Sequence, residues 1–309
     1  MAQKKRTIPE SDFSGGFMKK ILIRMFVYLA VFLLAGQAVA GTTAVYLRTP
    51  LGSRSLGLGS AYTGLCDDIE AVFWNPSGLA QVKNIQIAFQ HFEFVQDIKH
   101  EVLSASFPFE SGSLAGSFSY ISSGELEIRD EAGVNSGSFR PYCLVGQFSC
   151  GQFLTQSLMA GLSAKMMYES IYDAHSTAVA FDTGVLWSAG RFKTGAVCLN
   201  FGPSVKAGTM PSSFRIGISF NPEDFSVAAD LDWPVDRNPG MNLGAEYRFL
   251  ELISIRAGYA CKFSENEAFP AGLSAGLGLS IKGFTLDYGF RHFGWLGLTH
   301  LIKIGTVTI

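Results

Sequence analysis

The sequence predicts an all-β protein, a closed transmembrane antiparallel β-barrel of about fourteen strands with an irregular N-terminal segment inside its lumen. Three observations lead there. Hydrophobic residues make up 48% of the chain and charged residues only 16%, below the roughly 25% charged that soluble domains carry. Outside one segment near the start, no run of about 18 apolar residues is long enough for a membrane helix. From about Ile85 onward, apolar and polar or tiny residues alternate with period two in segments of eight to twelve residues. A lipid-facing chain without spanning helices must satisfy its backbone between strands, and only a closed sheet leaves no edge.

The leader, residues 1–40, reads as an export signal. Lys19, Lys20 and Arg24 precede the apolar run 25–35, and Ala38-Val39-Ala40 is a small-x-small cleavage site. Met18 is the expected start and cleavage is expected after Ala40. The competing reading, an N-terminal anchor, fails on length, because the apolar core is too short to span about 30 Å. The leader takes six of the 24 basic and two of the 26 acidic residues, so 41–309 carries a net charge of −6. No basic cluster remains to grip nucleic acid.

Residues 41–83 do not alternate. They hold Gly52-Ser53-Arg54-Ser55-Leu56-Gly57-Leu58-Gly59-Ser60-Ala61-Tyr62, then Cys66-Asp67-Asp68, then Trp74-Asn75-Pro76-Ser77-Gly78-Leu79. Turns and short helical pieces of this kind are tolerated at membrane depth only inside protein or a cavity. The expected place is the lumen, as a hatch.

Residues 84–309 form the barrel. Met241, Leu243, Ala245, Tyr247 and Phe249 interleave with Asn242, Gly244, Glu246 and Arg248, and Phe284, Leu286, Tyr288 and Phe290 with Thr285, Asp287, Gly289 and Arg291. Successive side chains point to opposite faces, so each segment has one greasy face and one polar or small one. A soluble sandwich would also alternate. The Gly, Ala and Ser on the polar face suit a crowded lumen, and Trp187, Trp233, Phe249 and Phe263 at segment ends suit interfacial girdles. The segments are 85–95, 100–109, 113–121, 139–149, 157–168, 177–187, 191–201, 213–220, 225–233, 241–249, 252–262, 272–281, 284–292 and 300–309. Short connections such as Leu250-Glu251 and Lys282-Gly283 alternate with long ones such as 122–138, 202–212 and 263–271. The connection 96–99 is short for an outer loop and 150–156 long for a turn. An even count with alternating short and long connections is the pattern of bacterial outer-membrane barrels, with both termini periplasmic.

Other chemistries fit poorly. Gly57-x-Gly59 lacks a preceding strand, and Tyr62 stands where a nucleotide loop needs its third glycine. Gly272-Leu273-Ser274-Ala275-Gly276 matches G-x-S-x-G but lies inside an alternating segment, without the strand-to-helix elbow that exposes a nucleophile. The five histidines have no paired spacing, so neither a metal site nor a cofactor is expected. Cys66, Cys143, Cys150, Cys198 and Cys261 show no C-x-x-C spacing and leave one disulfide open. No enzymatic activity is expected. Asp67 and Asp68 are expected to cap a hatch helix or to pair with inward arginines. The charged inward positions are Lys165, Arg215, Asp230, Asp232, Glu246, Arg248, Arg256, Asp287 and Arg291. Carrying both signs, they form either a structural network that holds the plug or a polar track with an anchor for a carboxylate or another head group.

The runs Gly52–Tyr62, Asp67-Asp68 and Trp74-Asn75-Pro76-Ser77-Gly78-Leu79 resemble the N-terminal signature of the PorV/PorQ family of FadL-like outer-membrane barrels. So do Asn242-Leu243-Gly244-Ala245-Glu246-Tyr247, Arg256-Ala257-Gly258-Tyr259, Leu286-Asp287-Tyr288 and Leu298-Thr299-His300. The resemblance implies fourteen strands plugged by a hatch, in which Asn75-Pro76-Ser77 corresponds to an Asn-Pro-Ala motif. It implies an integral protein of the bacterial outer membrane, in contact with its lipid, and transport of hydrophobic or amphipathic small molecules such as fatty acids. The PorV-like alternative implies a secretion-system component that binds cargo or partner proteins. Two departures stand out. Ser77 replaces Ala, and the chain ends in Ile309 rather than an aromatic, after an apparent slip of alternation at Lys303–Thr306.

Overall fold

The computed structural model describes residues 42–95, 97–203, 208–263 and 271–307. The leader, with Met18 and Ala40, and Ile309 lie outside the described residues. The strands are β1 (Gln86–Glu93), β2 (Lys99–Phe109), β3 (Gly112–Ser122), β4 (Leu126–Arg129), β5 (Asn135–Phe139), β6 (Tyr142–Phe153), β7 (Leu158–Ile171) and β8 (Ala174–Ala189). They continue with β9 (Phe192–Phe201), β10 (Ser213–Phe220), β11 (Phe225–Pro234), β12 (Gly240–Phe249), β13 (Ile253–Lys262), β14 (Leu273–Ile281), β15 (Phe284–His292) and β16 (Leu298–Val307). Fourteen of them close into one antiparallel barrel, sealed by β1 on β16, while β4 and β5 form a separate hairpin in the connection from β3 to β6.

The alternation decides which face is which. On β13, Ile253 and Ile255 stand exposed while Arg256 between their rows is buried, and on β15 Phe284 and Leu286 are exposed while Asp287 is buried. This is the inverse of a soluble protein, and it is stable only where the outer solvent is apolar. Among the described residues the barrel register breaks once, on β8–β9 between Phe181 and Thr183, where Asn200 takes the left-handed conformation at φ 56° and β9 carries one extra residue.

Three expectations about the strands need correction. The fourth barrel strand runs to Phe153, so the long turn expected at 150–156 shrinks to 154–157. At the other end, 172–173 is a two-residue turn, because β7 and β8 are the longest strands and rise together past their neighbours. Alternation does not slip near the C-terminus: Leu301, Lys303 and Gly305 face inward and Ile302 and Ile304 outward. The run only looks out of phase because inward Leu301, packed in an apolar cluster with Leu51, Leu56 and Phe92, is as greasy as outward Ile302 beside it.

Residues 42–83 run through the lumen. Thr43 donates to Thr209 in the β9–β10 connection (3.0 Å), and Thr42 to Asp236 in the β11–β12 turn, which places this start at the end of the barrel bearing the longer loops. Beyond lie a 3-10 turn (Val45–Arg48), α1 (Ser53–Gly57), α2 (Ala71–Trp74) and a second 3-10 turn (Pro76–Gln81). The amide of Ile69 donates to Gln86 Oε1 on β1 (2.9 Å), so the segment reaches the opposite end, where β1 begins and β16 ends. All of α1 is buried. The backbone reaches the wall because wall glycines leave room for it. A Cβ on Gly217 of β10 would stand 2.8 Å from the amide nitrogen of Gly64, closer than carbon can approach, and Gly161, Gly184 and Gly258 face the segment in the same way.

Candidate lumenal site

The segment is held by one closed circuit of charge. Glu246 and Arg256, register partners on β12 and β13, join through Nε and Oε2 at 2.8 Å. Arg256 then reaches across β14 to Asp287 (2.6 Å). Gly278 permits this, since a side chain there would sit 2.6 Å from the Asp287 carboxylate. Asp287 pairs with its register partner Lys303 (3.1 Å), and Lys303 with Glu70 of the inner segment (2.7 Å). The Glu70 carboxylate accepts from the amides of Arg54 (3.2 Å) and Ser55 (3.0 Å), two donors at the start of α1 with no intrahelical partner. Gly52, at φ 103°, makes the turn that brings these amides to Glu70. Its missing side chain matters too, because a Cβ would stand 2.6 Å from Glu70 Cδ. The Arg54 side chain closes the circuit. It forks onto Glu246 (2.9 and 3.0 Å) and reaches Asp67 (2.6 Å), Asp68 (3.1 Å) and the Tyr62 hydroxyl (3.0 Å).

The tryptophan-to-glycine motif folds the rest of the segment. Trp74 donates from its indole to Leu51 O (2.7 Å) and meets Tyr62 edge-on at 6.4 Å. Asn75 caps the following turn, accepting from Ser77 N and Oγ (3.2 and 2.6 Å), with Pro76 at the first position, where no amide is needed. Its amide group donates to Thr63 O (3.0 Å) and to Val185 O of β8 (3.2 Å). Gly78 lies so close to Cys66 that a Cβ would meet its sulfur.

The inward charges expected from sequence separate into groups. Glu246, Arg256 and Asp287 belong to the circuit, and Arg248, lower on β12, donates to Glu223 O (3.1 Å). Asp230 accepts from the amides of Tyr62 and Thr63 (2.9 and 2.8 Å). Arg215 forks onto Asp232 (3.1 and 3.3 Å), and Arg291 donates to Ser60 (3.3 Å). Lys165 stands apart on β7, bound to Asp182 (2.9 Å) and Asn200 (2.6 Å) at the register break. Alternation did not single out Arg54, Glu70, Lys193 or Lys303. The available signal was three carboxylates within residues 67–70 and one arginine in a run of small residues, a combination that calls for buried partners. Ser274 of the G-x-S-x-G match points into the wall contact and donates to Gly57 O (3.3 Å). The five cysteines are all free thiols.

Two lumenal pockets flank the inner segment. The one at the strand-terminus end, about 320 Å³, is lined by the circuit and by the acidic turns bearing Glu223, Asp224 and Glu251. The other, about 260 Å³, lies under the longer loops beside Arg48, Trp74, Arg215, Asp232, Arg237 and Phe293. A third, small pocket of about 40 Å³ lies beside Tyr46, Leu47, Val145 and Lys165, where an apolar cluster of Ala44, Cys143, Val145, Met167, Ala180 and Met210 packs against Tyr46 and Leu47.

Residues 35–118 match an uncharacterised protein family, UPF0164. A UPF0164 protein of Treponema pallidum is 25% identical over 275 residues, and the chain spans 63% of that relative's length, using 79% of its own. Among solved structures, the toluene transporter TbuX of Ralstonia pickettii superposes with a TM-score of 0.64 at 13% identity, over 86% of this chain and all of that one. The P. putida toluene transporter TodX gives 0.64 at 12% identity, covering 84% and 98%. A FadL homologue of Pseudomonas aeruginosa gives 0.54 at 11% identity, covering 83% and 95%. At such identities the likeness is one of fold, and the fold of this chain is that of the FadL-like barrels.

Proposed function

We propose that the chain is an integral protein of the bacterial outer membrane that binds and passes hydrophobic or amphipathic small molecules, with residues 41–83 as its hatch and 84–309 as its barrel. The observation that carries this reading is the divided lumen. A buried segment fixed to the wall by charge separates a pocket under the loops from one at the far end, an arrangement suited to capture and controlled passage. A passive pore would need an open channel instead. The pocket under the loops combines apolar residues, among them Trp74, Phe293 and Leu296, with guanidiniums, which suits a molecule with a greasy body and a polar end. The fold shared with toluene transporters supports the same reading.

The test compares cells that make the chain with cells that lack it. Uptake of labelled toluene and of a labelled fatty acid is expected to be several-fold faster with the chain, and the purified protein is expected to retain bound lipid or detergent. Equal uptake of both, with no retained ligand, overturns the proposal. Loss of surface-exposed proteins on deletion, with uptake unchanged, would replace it with the PorV-like secretion role.

A further inference from the structure

The pocket under the loops holds more positive charge than a neutral hydrocarbon needs. Four guanidiniums line it: Arg291 donates to Ser60 and lies over the Phe293 ring, 5.0 Å from its centroid, while Arg48, Arg215 and Arg237 share two carboxylates. Asp232 takes both the Arg215 fork and Arg237 (3.3 Å), while Asp236 takes Arg48. The Arg215 guanidinium also lies over the Trp74 ring, 4.8 Å from its centroid, so a cationic edge and an aromatic wall meet at one corner. Phe293 supplies a second aromatic wall. Burial first, with smaller contributions from the neighbouring Arg215 and Arg48, outweighs Asp232 and Asp236 and holds the Arg237 guanidinium below its usual pKa. At about 260 Å³ the space suits a single ring with one substituent.

We propose that this pocket is a binding site for compact aromatic carboxylates, benzoate-like monoanions, and that the chain selects them over neutral aromatics of the same size. The inference rests on the transport reading above and names its substrate class. The carboxylate would seat on Arg237 and the outer edge of Arg215, where planar guanidinium geometry favours a two-point contact. The ring would lie beside Trp74 and Phe293, against the guanidiniums of Arg215 and Arg291 that cover their faces, where replacing it with an aliphatic body loses cation–π contact. A neutral ring such as toluene would leave the crowded cations without a counter-charge and gain only the walls.

The test titrates the folded full-length chain in detergent with benzoate and with toluene, read by calorimetry. Benzoate is expected to bind at least about tenfold more tightly, the low end for a hydrogen bond to a charged group, because Arg237 is partly exposed. Benzoate affinity is expected to fall as ionic strength rises, while that of toluene does not. Arg237→Gln is expected to erase most of the preference and Arg237→Lys to keep part of it. Arg237 lies in a turn outside the strands, so neither variant should disturb the barrel, and heat-modifiable migration in gels verifies this. Equal binding of the two ligands, or a preference indifferent to salt and to Arg237→Gln, overturns the inference. If cells still take up toluene in that case, the transport reading stands alone. If uptake of toluene and of a fatty acid is also no faster than in cells lacking the chain and the protein retains no ligand, both readings fall.

Discussion

The charge circuit predicts that one side chain governs whether the inner segment stays seated. In Arg54→Met the stem is kept and the guanidinium removed, which deletes five contacts between 2.6 and 3.1 Å to four partners. Those partners are not left equally exposed. The Glu246 side chain is 1% accessible, while Asp67 and Asp68 are 31% and 21% accessible and can partly rehydrate. Glu246 also keeps Arg256, and Asp67 keeps Lys193 at 3.5 Å. Breaking a buried pair by removing one partner costs about 3–5 kcal/mol, and the retained partners put this case near the lower end, about 3 kcal/mol. With about 1.4 kcal/mol per tenfold, the segment should open roughly a hundredfold more often. Hydrogen exchange followed by mass spectrometry reads this directly. Amides of residues 51–82 should lose roughly a hundredfold in protection, while the barrel strands keep theirs. Unchanged protection in 51–82 would refute the view that the circuit holds the segment. Equal loss across β1–β16 would refute it too, since the circuit would then be holding the wall.

Four further outcomes follow from the same geometry. Gly217→Val places branched carbons where Gly64 N and the Asp230 carboxylate already sit, and should unseat 60–66 in the same exchange experiment while leaving heat-modifiable migration unchanged. Asn75→Ala removes four hydrogen bonds, at about 1 kcal/mol each, so protease nicking near 75–82 should appear in the variant alone. Ile255→Arg puts a charge on the exposed outer face of β13, and folding in lipid vesicles should weaken by about 2–4 kcal/mol if that face meets the bilayer core. At Asp236 burial raises the carboxyl pKa, but bonds from Arg48 and Thr42 more than offset it, so the folded value lies below the usual one. The tether is therefore complete above the unfolded value of about 3.9 and lost as pH falls through the folded value. Exchange of amides 43–49, corrected for intrinsic rate, should rise in wild type as pH falls below about 4, and Asp236→Asn should show no such step.

What the sequence discloses depends on how far apart the interacting residues are. β12, β13 and β15 are readable because each residue reports only its own face, and lipid outside with a crowded lumen inside makes period two nearly unbroken. The β4–β5 hairpin was not readable. Its two strands pair only with each other, outside the barrel, and nearly every residue of both is exposed, so neither face is buried and nothing requires alternation. The turn at 172–173 looked like a loop because polar residues such as Ser170, His175 and Ser176 belong to strands that rise beyond their neighbours, where greasy side chains are no longer required.

The same reasoning explains why the inward charges could be named before their partners. Alternation puts Glu246, Arg256 and Asp287 on the inner face, and register alone makes Glu246 and Arg256 neighbours. No periodicity carries the information that Arg54 and Glu70, inside an irregular segment, complete what β12, β13, β15 and β16 begin. That information lies in balance. Five carboxylates (Asp67, Asp68, Glu70, Glu246 and Asp287) meet five cations (Arg54, Lys193, Arg256, Lys303 and, at 3.9 Å from Glu246, Arg248) within the circuit and its branches, and without Arg54 and Lys303 the wall and the segment would each hold unpaired buried charge. A buried charge without a partner costs several kcal/mol, so barrel and inner segment are each unfavourable alone and complementary together. This is why a lysine on the inner face of β16, between two lipid-facing isoleucines, is the residue that ties β16 to the segment passing through the lumen.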